Sequence, residues 1–432
     1  MKQVSDNGSS LPNFRTSPLR ERVLGEVHAR PFRPISKQRT ILHYAFLTNA
    51  DEAAADHEWL KEFCISRGGH GPAPGARHYT LDFGGGTLSW EQHAEFTTYT
   101  WDGMANPGAM FASVPASHPF GVAFKAPGDL LVAVRLEVRG TPETTSWREN
   151  FDEGSLTVSR LEDGAATVAT DFRQDGDGLT RFALFVDSLS DVQSGAVVQR
   201  LLEVETYRTL AMLGFFEATG LQPEIRRFEI ELAELTEEMK DASALGTNQD
   251  LLDKFTALAA ALEAGATAST FRFGASRAYA EIVKARFMTL REEAAPGDLS
   301  MAAFLARRLA PAMRTCQAIE DRQAMLSRKL ARATTLLRTR VDVDLEQQNR
   351  SLLQSMNRRA RLQLRLQQTV EGLSVAAVSY YVVGLISYLA KAAKESGLPV
   401  PNASIMTGLA VPVVIIVIWW TVKRIRMHHG EH

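Results

Sequence analysis

The last sixty or so residues show the clearest pattern of hydrophobic and polar positions in the chain. Two apolar segments, 373–390 and 404–422, are separated by the polar loop 391–403 and followed by the basic tail 423–432. Each segment is 18 or 19 residues long, close to the roughly 20 residues that a helix needs to cross a bilayer. The pattern therefore predicts a two-helix transmembrane hairpin.

Residues 39–188 carry a different pattern, in which apolar and polar positions alternate with the period of two that is typical of strands. A helix is predicted at 53–66, where Trp59, Leu60 and Phe63 share one face. The three glycines at 84–86 indicate a hairpin turn. The predicted strands are 40–47, 77–83, 87–101, 130–138, 155–161, 166–172 and 181–186. We therefore predict an α+β cytoplasmic domain with a mostly antiparallel sheet at 39–188, preceded by a disordered lead and connecting segment at 1–38.

Helical periodicity replaces the alternation after residue 188. We predict a long-helix domain at 189–343, with breaks near Pro223, Gly246 and Pro296 and a kink or break at Pro311. A basic stalk helix is predicted at 344–372, and no proline separates it from the first apolar segment. A continuous helix over 344–390 would be about 70 Å long at 1.5 Å per residue. The first transmembrane helix is therefore predicted to continue the stalk.

The net charge of −2 conceals a strong polarity along the chain. Residues 301–368 hold fourteen Lys/Arg against five Asp/Glu, whereas residues 1–300 carry a net charge of −13. A basic segment beside a membrane is attracted to anionic lipid headgroups. No nucleic-acid-binding motif accompanies the charge, so we expect anionic lipids and no nucleic acid as partners.

The distribution of basic residues also predicts how the chain is oriented in the membrane. Arginines precede the first apolar segment, and Lys423, Arg424 and Arg426 follow the second. The positive-inside rule then predicts both termini in the cytoplasm and a small outer loop. The first 17 residues contain no apolar stretch of the kind found in signal peptides. Cys64 and Cys316 have neither metal nor disulfide spacing and are predicted to be reduced core thiols.

Two short motifs carry chemically active side chains and together form the candidate cytoplasmic site. In the first, Glu26, His28 and Arg30 combine a carboxylate, an imidazole and a guanidinium in a segment bounded by proline. Such a group can bind an anion or transfer a proton. The alternative is a packed strand in which the charges pair with one another.

The second motif, Trp90, His93 and Glu95, lies on the predicted strand 87–101. Period-two alternation places His93 and Glu95 on one face with Tyr99, and Trp90 on the other face. His and Glu two residues apart can supply two metal ligands, and the alternative is a polar sheet face with local hydrogen bonds. Metal binding is left open, and we find neither a catalytic constellation nor a cofactor motif.

A polar stripe recurs at helical spacing along the first apolar segment, formed by Glu371, Ser374, Tyr381 and Tyr388. Polar residues inside a membrane usually face protein or water. The stripe is therefore predicted either to pack helices of neighbouring protomers against each other or to line a pore.

Three segments carry a resemblance to a known family: EVHARPF at 26–32, WEQHAEFTTYTW at 90–101 and TVEGLSVAAVSYYVVGLISYLAKA at 369–392. They resemble the bacterial uncharacterised membrane-anchored proteins of domain of unknown function 3422, over nearly the whole chain. The resemblance implies a bacterial inner-membrane location, and it brings no established activity or catalytic residues.

The order of the predicted elements is also similar to that of CorA-type divalent-cation channels. That resemblance implies a homo-oligomer, a pentamer in those channels, whose first span lines a magnesium pore. The Gly-Met-Asn signature of those channels is replaced here by Ser387-Tyr388-Leu389-Ala390-Lys391, so magnesium selectivity is not implied. A lysine ring at a pore mouth would disfavour a divalent cation.

Two functions follow as hypotheses. The first is a non-enzymatic, homo-oligomeric inner-membrane protein with a CorA-like layout that acts as an ion channel or transporter. The second is a membrane-tethered cytoplasmic scaffold or ligand sensor. An enzyme attached to a membrane is the least favoured, because no catalytic constellation accompanies the motifs.

Overall fold

The computed structural model describes residues 17–20, 23–24, 32–106, 108–242, 245–395 and 403–429. The chain divides into two compact units. Unit 1 is drawn from Met1–Thr236 and Phe255–Arg332, and unit 2 from Glu237–Lys254 and Ala333–His432. The boundaries predicted for the individual domains stay predictions.

Nine strands and five long helices make up most of the described residues. The strands are β1 (Arg39–Leu47), β2 (His78–Phe83), β3 (Gly86–Gln92), β4 (Phe96–Met104), β5 (Asp129–Gly140), β6 (Thr157–Leu161), β7 (Ala166–Thr170), β8 (Thr180–Val186) and β9 (Glu293–Ala294). The helices are α1 (Ala50–Ile65), α2 (Asp191–Asp241), α3 (Leu245–Thr289), α4 (Met301–Glu395) and α5 (Ala403–His429). The strands form one sheet in unit 1, in the order β2–β3–β4–β1–β5–β8–β7–β6–β9.

The sheet is mixed, which corrects the expectation of a mostly antiparallel one. β5 and β8 run parallel, with Val134 opposite Thr180 and Gly140 opposite Val186. Parallel neighbours require a crossover connection, and the segment between them provides it while forming β6 and β7. Alternation of apolar and polar positions gives the two faces of a strand but not the direction of its neighbour, so the sequence pattern did not reveal this pair.

Different helices cover the two faces of the sheet. Leu42 of β1 packs in the core that contains Leu60 of α1. Its neighbour Ile41 packs in the opposite core with Val134 of β5 and Leu201 of α2. Residues adjacent in β1 therefore enter different cores, as the period of two requires.

α1 begins with a capping box. The Asn49 side chain accepts hydrogen bonds from the backbone N–H groups of Asp51 and Glu52, and Glu52 Oε2 accepts from the Asn49 N–H at 2.8 Å. These contacts satisfy backbone donors that have no partner within the helix. The capping box thus sets the start of the helix that carries Asp56.

The single strand expected over 87–101 is two strands, β3 and β4. The chain reverses at residues 93–95, where the His93 N–H donates to the Phe96 carbonyl at 2.9 Å. Trp90 consequently pairs with Tyr99, and both side chains lie on the α1 face instead of on opposite faces. The turn contains neither glycine nor proline, so the alternation runs through it in the sequence without a break.

α2 continues through Pro223, where a break was expected. A proline inside a helix costs about 3 kcal/mol because it removes a backbone donor and crowds the preceding turn. Ala218, Ile225 and Phe228 on either side are buried, and this packing offsets the local cost. Pro311 likewise lies inside an uninterrupted α4.

Gly214 marks a close approach of three helices. A Cβ atom at this position would lie 2.4 Å from Ser276 Oγ of α3 and 3.3 Å from Cys316 Sγ of α4. The Gly214 N–H donates to Ser276 Oγ at 3.1 Å. The absence of a side chain at residue 214 is therefore what allows these helices to meet. Cys316 and Cys64 are both buried and unpaired.

Two apolar stretches, one within α4 and one at Ser404–Arg424 in α5, are long and apolar enough to cross a membrane. Little of either stretch is buried within the chain, whereas a core helix of a soluble protein would be mostly covered. α4 also contains the whole of 344–390 without a break. Length and composition thus give the chain two candidate spans.

Candidate functional site

A polar cleft lies in unit 1 between α2 and the strands β1, β3 and β4. Two adjoining cavities form it, and they share Glu91, Thr100, Gln199 and Leu202. The polar lining comprises Arg33, His43, His78, Ser89, Glu91, His93, Thr98, Thr100, Asp102, Gln199, Glu203, Thr206 and Tyr207. Alternation along β3 and β4 explains the arrangement, because the residues between them, including Trp90 and Trp101, enter the core against α1.

His43 is the buried centre of the polar cleft. Its Nδ1 lies 2.7 Å from Thr100 Oγ1 and its Nε2 lies 2.9 Å from Thr206 Oγ1. Thr206 donates its only hydroxyl proton to the Leu202 carbonyl at 2.8 Å. Nε2 must therefore carry the imidazole proton and donate to Thr206, while Nδ1 accepts from Thr100.

This network holds His43 in its neutral form. Burial, together with a smaller contribution from the neighbouring His93, lowers the pKa of His43 to about 3. Each ring nitrogen already has a partner suited to the neutral ring, so a second proton would have to displace the Thr100 hydroxyl proton. Near neutral pH, His43 therefore stays uncharged and holds its two threonine partners in place, and it does not transfer protons.

One end of the polar cleft contains an arginine that is bound to a neighbouring carboxylate. Arg33 Nη2 lies 2.7 Å from Asp102 Oδ2, and Arg33 Nη1 donates to Ser89 Oγ at 3.0 Å. Arg39 pairs with the other oxygen of Asp102 and donates to its carbonyl at 3.1 Å. Two guanidinium groups thus share the Asp102 carboxylate, and Arg33 is the one that lines the cavity, together with Asp102 and Glu91.

Gly195 allows the Arg33 backbone to reach this position. A Cβ atom at residue 195 would lie 1.7 Å from the Arg33 carbonyl oxygen. The Ile35 N–H also donates to the Asp191 carbonyl at 2.8 Å, at the start of α2. The segment before β1 is therefore held against the first turns of α2.

The other end of the polar cleft contains two carboxylates. Glu203 accepts from Gln199 Nε2 at 3.2 Å and pairs with Arg286 of α3. Glu91 Oε2 lies 3.7 Å from His93 Nε2. Phe96 and Tyr207 form an aromatic wall there, with ring centroids 6.1 Å apart.

Thr98 contributes a buried hydroxyl to the same end. Its side chain is only 6% exposed and lines the cavity. A threonine hydroxyl can donate one hydrogen bond and accept others, so Thr98 offers a donor and an acceptor to a molecule in the cleft.

His93 and Glu95 occupy the β3–β4 turn, and they have different roles. The His93 ring stacks on Phe96, with centroids 4.1 Å apart, and lines the polar cleft. Glu95 faces α3, where it accepts from Arg272 Nη2 at 2.6 Å and from the Tyr279 hydroxyl at 2.6 Å. Burial raises the pKa of Tyr279, and its bond to Glu95 raises it further. Glu95 thus anchors the turn rather than facing a ligand.

Trp90 lies on the opposite side of the sheet from the polar cleft. Its Nε1 donates to Asp56 Oδ2 at 2.7 Å, and the Tyr99 hydroxyl donates to Asp56 Oδ1 at 2.7 Å. Burial raises the pKa of Asp56, while these two donated bonds lower it. Trp90 therefore belongs to a core network, and the structure separates it from His93.

The first predicted motif, Glu26, His28 and Arg30, lies outside the described residues. Among the described residues, no group of three or more His, Cys, Asp or Glu side chains is arranged to hold a metal ion. Metal binding by His93 together with Glu95 finds no support in this geometry, because Glu95 is engaged by α3.

Sequence reasoning missed the residues that give the polar cleft its chemistry, above all His43, Asp102 and Thr206. His43 stands in an apolar strand, and such a polar exception is a usable signal. The regular alternation of Ser89 and Glu91 with apolar neighbours is a second. His43 pairs with Thr206, which is 163 positions away, so no local sequence pattern indicates this contact.

The predicted polar stripe lies on α4 in unit 2. Tyr381 and Tyr388 are 71% and 76% exposed, whereas Ser379 and Ala390 are buried. Glu371 and Ser374 lie on the same helix, at the start of the apolar segment. The exposed tyrosines are open to lipid or to another chain, and the role of the stripe stays a prediction.

Comparisons with known proteins identify a family but not an activity. The family model described as protein of unknown function, DUF3422, matches residues 15–429. No curated protein and no solved structure matches the chain at a significant level, so the CorA-like layout stays an expectation. Because the match spans nearly the whole chain, the protein belongs to the DUF3422 family.

Proposed function

We propose that the protein is a non-enzymatic, membrane-attached ligand sensor whose polar cleft binds a small zwitterion of the amino-acid type. The observation that carries the proposal is the cleft itself, in which fixed donors and acceptors line a cavity between the sheet and α2. A cavity with a few convergent polar groups is the usual form of a small-molecule site.

The buried polar groups support binding over a purely structural role. Polar groups inside a protein are costly unless they have partners. His43 has a hydrogen-bond partner at each ring nitrogen, whereas Thr98 lines the cavity and its hydroxyl can donate to or accept from a ligand.

The charges support a zwitterion. Arg33, which shares Asp102 with Arg39, brings a guanidinium to one end, and a guanidinium favours a carboxylate. At the other end the described lining contains Glu203, which is paired with Arg286, and Glu91, which lines both cavities, but no lysine or arginine, which favours an amine. The rings of Phe96 and Tyr207 add a surface that attracts cations.

The apolar stretches of α4 and α5 support attachment to a membrane. The excess of basic residues before the first stretch and after the second supports an inner-membrane location with both termini in the cytoplasm. The basic stalk and tail would then lie close to anionic headgroups. α4 begins in the unit that holds the polar cleft and includes an apolar stretch, so one helix joins the sensing unit to the membrane.

The test uses the full chain in lipid nanodiscs and measures thermal unfolding with the common amino acids. For each one that binds, its methyl ester removes the carboxylate and its des-amino analogue removes the amine. A ligand at 100 times its Kd should add about 2.7 kcal/mol of stability. We expect the amino acid to raise the Tm and both analogues to lose most of that rise.

Variants link the effect to the polar cleft. Thr98→Val and Arg33→Gln should each abolish the ligand-induced rise in Tm. Thr145→Val is a matched control, because Thr145 is exposed and its hydroxyl does not cap the short helix that follows it. If no amino acid shifts the Tm, or if Thr98→Val responds like the wild type, the proposal is wrong. Ligand-independent ion flux in proteoliposomes would instead favour the CorA-like channel.

A further inference from the structure

The part of α4 at 345–373 presents an exposed hydrophobic surface in unit 2. Leu352, Met356 and Leu366 are 58%, 58% and 68% exposed. Val341 and Leu337, one and two turns before Leu345, are buried. The apolar face therefore continues beyond the point where the chain's own residues cover it.

This surface follows the 4–3 spacing of a coiled coil. Starting at Leu345, steps of four and three residues define a seam, which we call the stalk seam: Leu345, Asn349, Leu352, Met356, Arg359, Gln363, Leu366, Val370 and Leu373. Six of these nine positions are apolar, over four heptads. Spacing of this kind winds two helices around each other and buries the seam between them.

Most of the basic residues follow the same pattern. Arg350, Arg358, Arg361 and Arg365 all lie off the stalk seam, on the outer positions of the heptads. Leu353 and Leu362 flank the seam and widen its apolar surface, and both are more than half exposed. The stalk seam therefore holds most of the apolar residues of this segment, and Arg359 is the one basic residue on it.

We propose that the stalk seam binds the stalk seam of a second copy of this chain, parallel and in register. A second copy supplies the same repeat, so each apolar position meets its equivalent. The parallel direction rests on the proposed membrane attachment, because both copies would enter the bilayer with the same orientation. α4 continues unbroken from the seam into its apolar stretch, so the seam does not turn to lie flat on the lipid surface.

The polar members of the stalk seam select this alignment. Asn349 and Gln363 would each face their own equivalent, and two amides can hydrogen-bond to each other. Polar residues at such positions fix register at a cost in stability. Arg359 would extend its charge to the rim while its methylene groups pack along the seam.

Site-specific disulfide crosslinking of the full chain in nanodiscs tests the proposal. Leu352→Cys and Leu366→Cys place thiols on the stalk seam, and Gln354→Cys is a matched control on the opposite side of the helix. The native Cys64 and Cys316 are buried. Copper-catalysed oxidation by oxygen should convert most of both seam variants to a species of twice the 47.6 kDa chain mass, while Gln354→Cys stays at background.

Crosslinking at both seam positions also shows that the two helices run parallel. In an antiparallel pair, residues 352 and 366 cannot both lie opposite the same residue of the other copy. A double variant, Leu352→Glu with Leu366→Glu, should convert the wild-type dimer to a monomer in light scattering. Equal crosslinking at Gln354→Cys, crosslinking at only one seam position, or a monomeric wild type would overturn the proposal. If both seam variants crosslink but light scattering shows more than two chains, the proposal of a two-chain coiled coil is wrong. None of these readouts depends on ligand binding in the polar cleft.

Discussion

His43 Nε2 donates to Thr206 Oγ1 across 2.9 Å, and this contact joins the central strand β1 to α2. The Thr206 proton is committed to the Leu202 carbonyl, so Nε2 carries the ring proton, and Nδ1 can accept from Thr100 only while the imidazole is neutral. Protonation of His43 should therefore weaken the contact between β1 and α2 that forms the polar cleft.

The first prediction concerns the pH dependence of stability. The pKa of His43 falls from 6.5 to about 3 on folding, so below pH 6.5 the unfolded chain binds a proton that the folded chain excludes. Stability should fall as the pH falls toward 3, with a contribution from His43 of about 1.4 kcal/mol per pH unit. Above pH 6.5 this contribution should be constant.

Urea unfolding of the full chain in detergent at several pH values measures this slope. Below pH 6.5, the free energy of unfolding of His43→Gln should vary less steeply with pH than that of the wild type. The difference should be about 1.4 kcal/mol per pH unit, which corresponds to one proton. His70→Gln, which removes an exposed histidine, should keep the wild-type slope. An unchanged slope in His43→Gln would show that this histidine does not carry the linkage.

The second prediction concerns the Asp56 network. Asp56→Ala leaves the Trp90 indole N–H and the Tyr99 hydroxyl buried without their acceptor, and should cost about 3 kcal/mol. Glu58→Ala on the same helix removes contacts of an exposed carboxylate with Lys61 and His57 and should cost less than about 1 kcal/mol. Urea unfolding followed by tryptophan fluorescence measures both. Similar losses for the two variants would contradict the network.

The third prediction concerns helix packing. Gly214→Ala would place a Cβ atom 2.4 Å from Ser276 Oγ, and should destabilise unit 1 by about 1–3 kcal/mol. Gly274→Ala meets nothing within 4 Å, and should stabilise α3 by up to about 1 kcal/mol through helix propensity. Opposite changes in Tm are expected from the same chemical substitution. A gain for both variants would mean that Gly214 is not a contact point.

The fourth prediction concerns the β3–β4 turn. Glu95→Gln loses the charge that pairs with Arg272, and should cost about 1.5–3 kcal/mol. The turn would also loosen, so backbone amide exchange at 92–96 should become faster. Glu281→Gln, an exposed change on the same α3 helix, should leave that exchange unchanged. Unaltered exchange in Glu95→Gln would mean that the anchor does not hold the turn.

Local patterns located α1 and most of the strands, although 87–101 proved to be β3 and β4, and β9 was not predicted. The glycines at 84–86 correctly indicated the β2–β3 hairpin, because φ is positive at Gly84 and Gly85. The reversal at His93 was missed because its residues favour no particular turn and anchor through Glu95 to a helix about 180 positions later. Pro223 was misread as a break because packing on both sides outweighs its local preference.

The polar cleft could be anticipated only in part. His93 was recognised, but Trp90 and Glu95 were grouped with it by a spacing that the turn destroys. Arg33, His43 and Thr206 come from three segments that meet only when α2 crosses the sheet. Tertiary proximity of this kind has no periodic signature in a single sequence.

β9 has a practical consequence for any fragment of this protein. Its two residues, Glu293 and Ala294, pair with Arg160 and Ser159 of β6, and Val158 exchanges further bonds with Leu299 and Ala295. A fragment cut at the end of the contiguous N-terminal strands would leave β6 as an open edge ready to pair with other chains. We expect such truncations to aggregate, and the shortest soluble fragment to extend past residue 300.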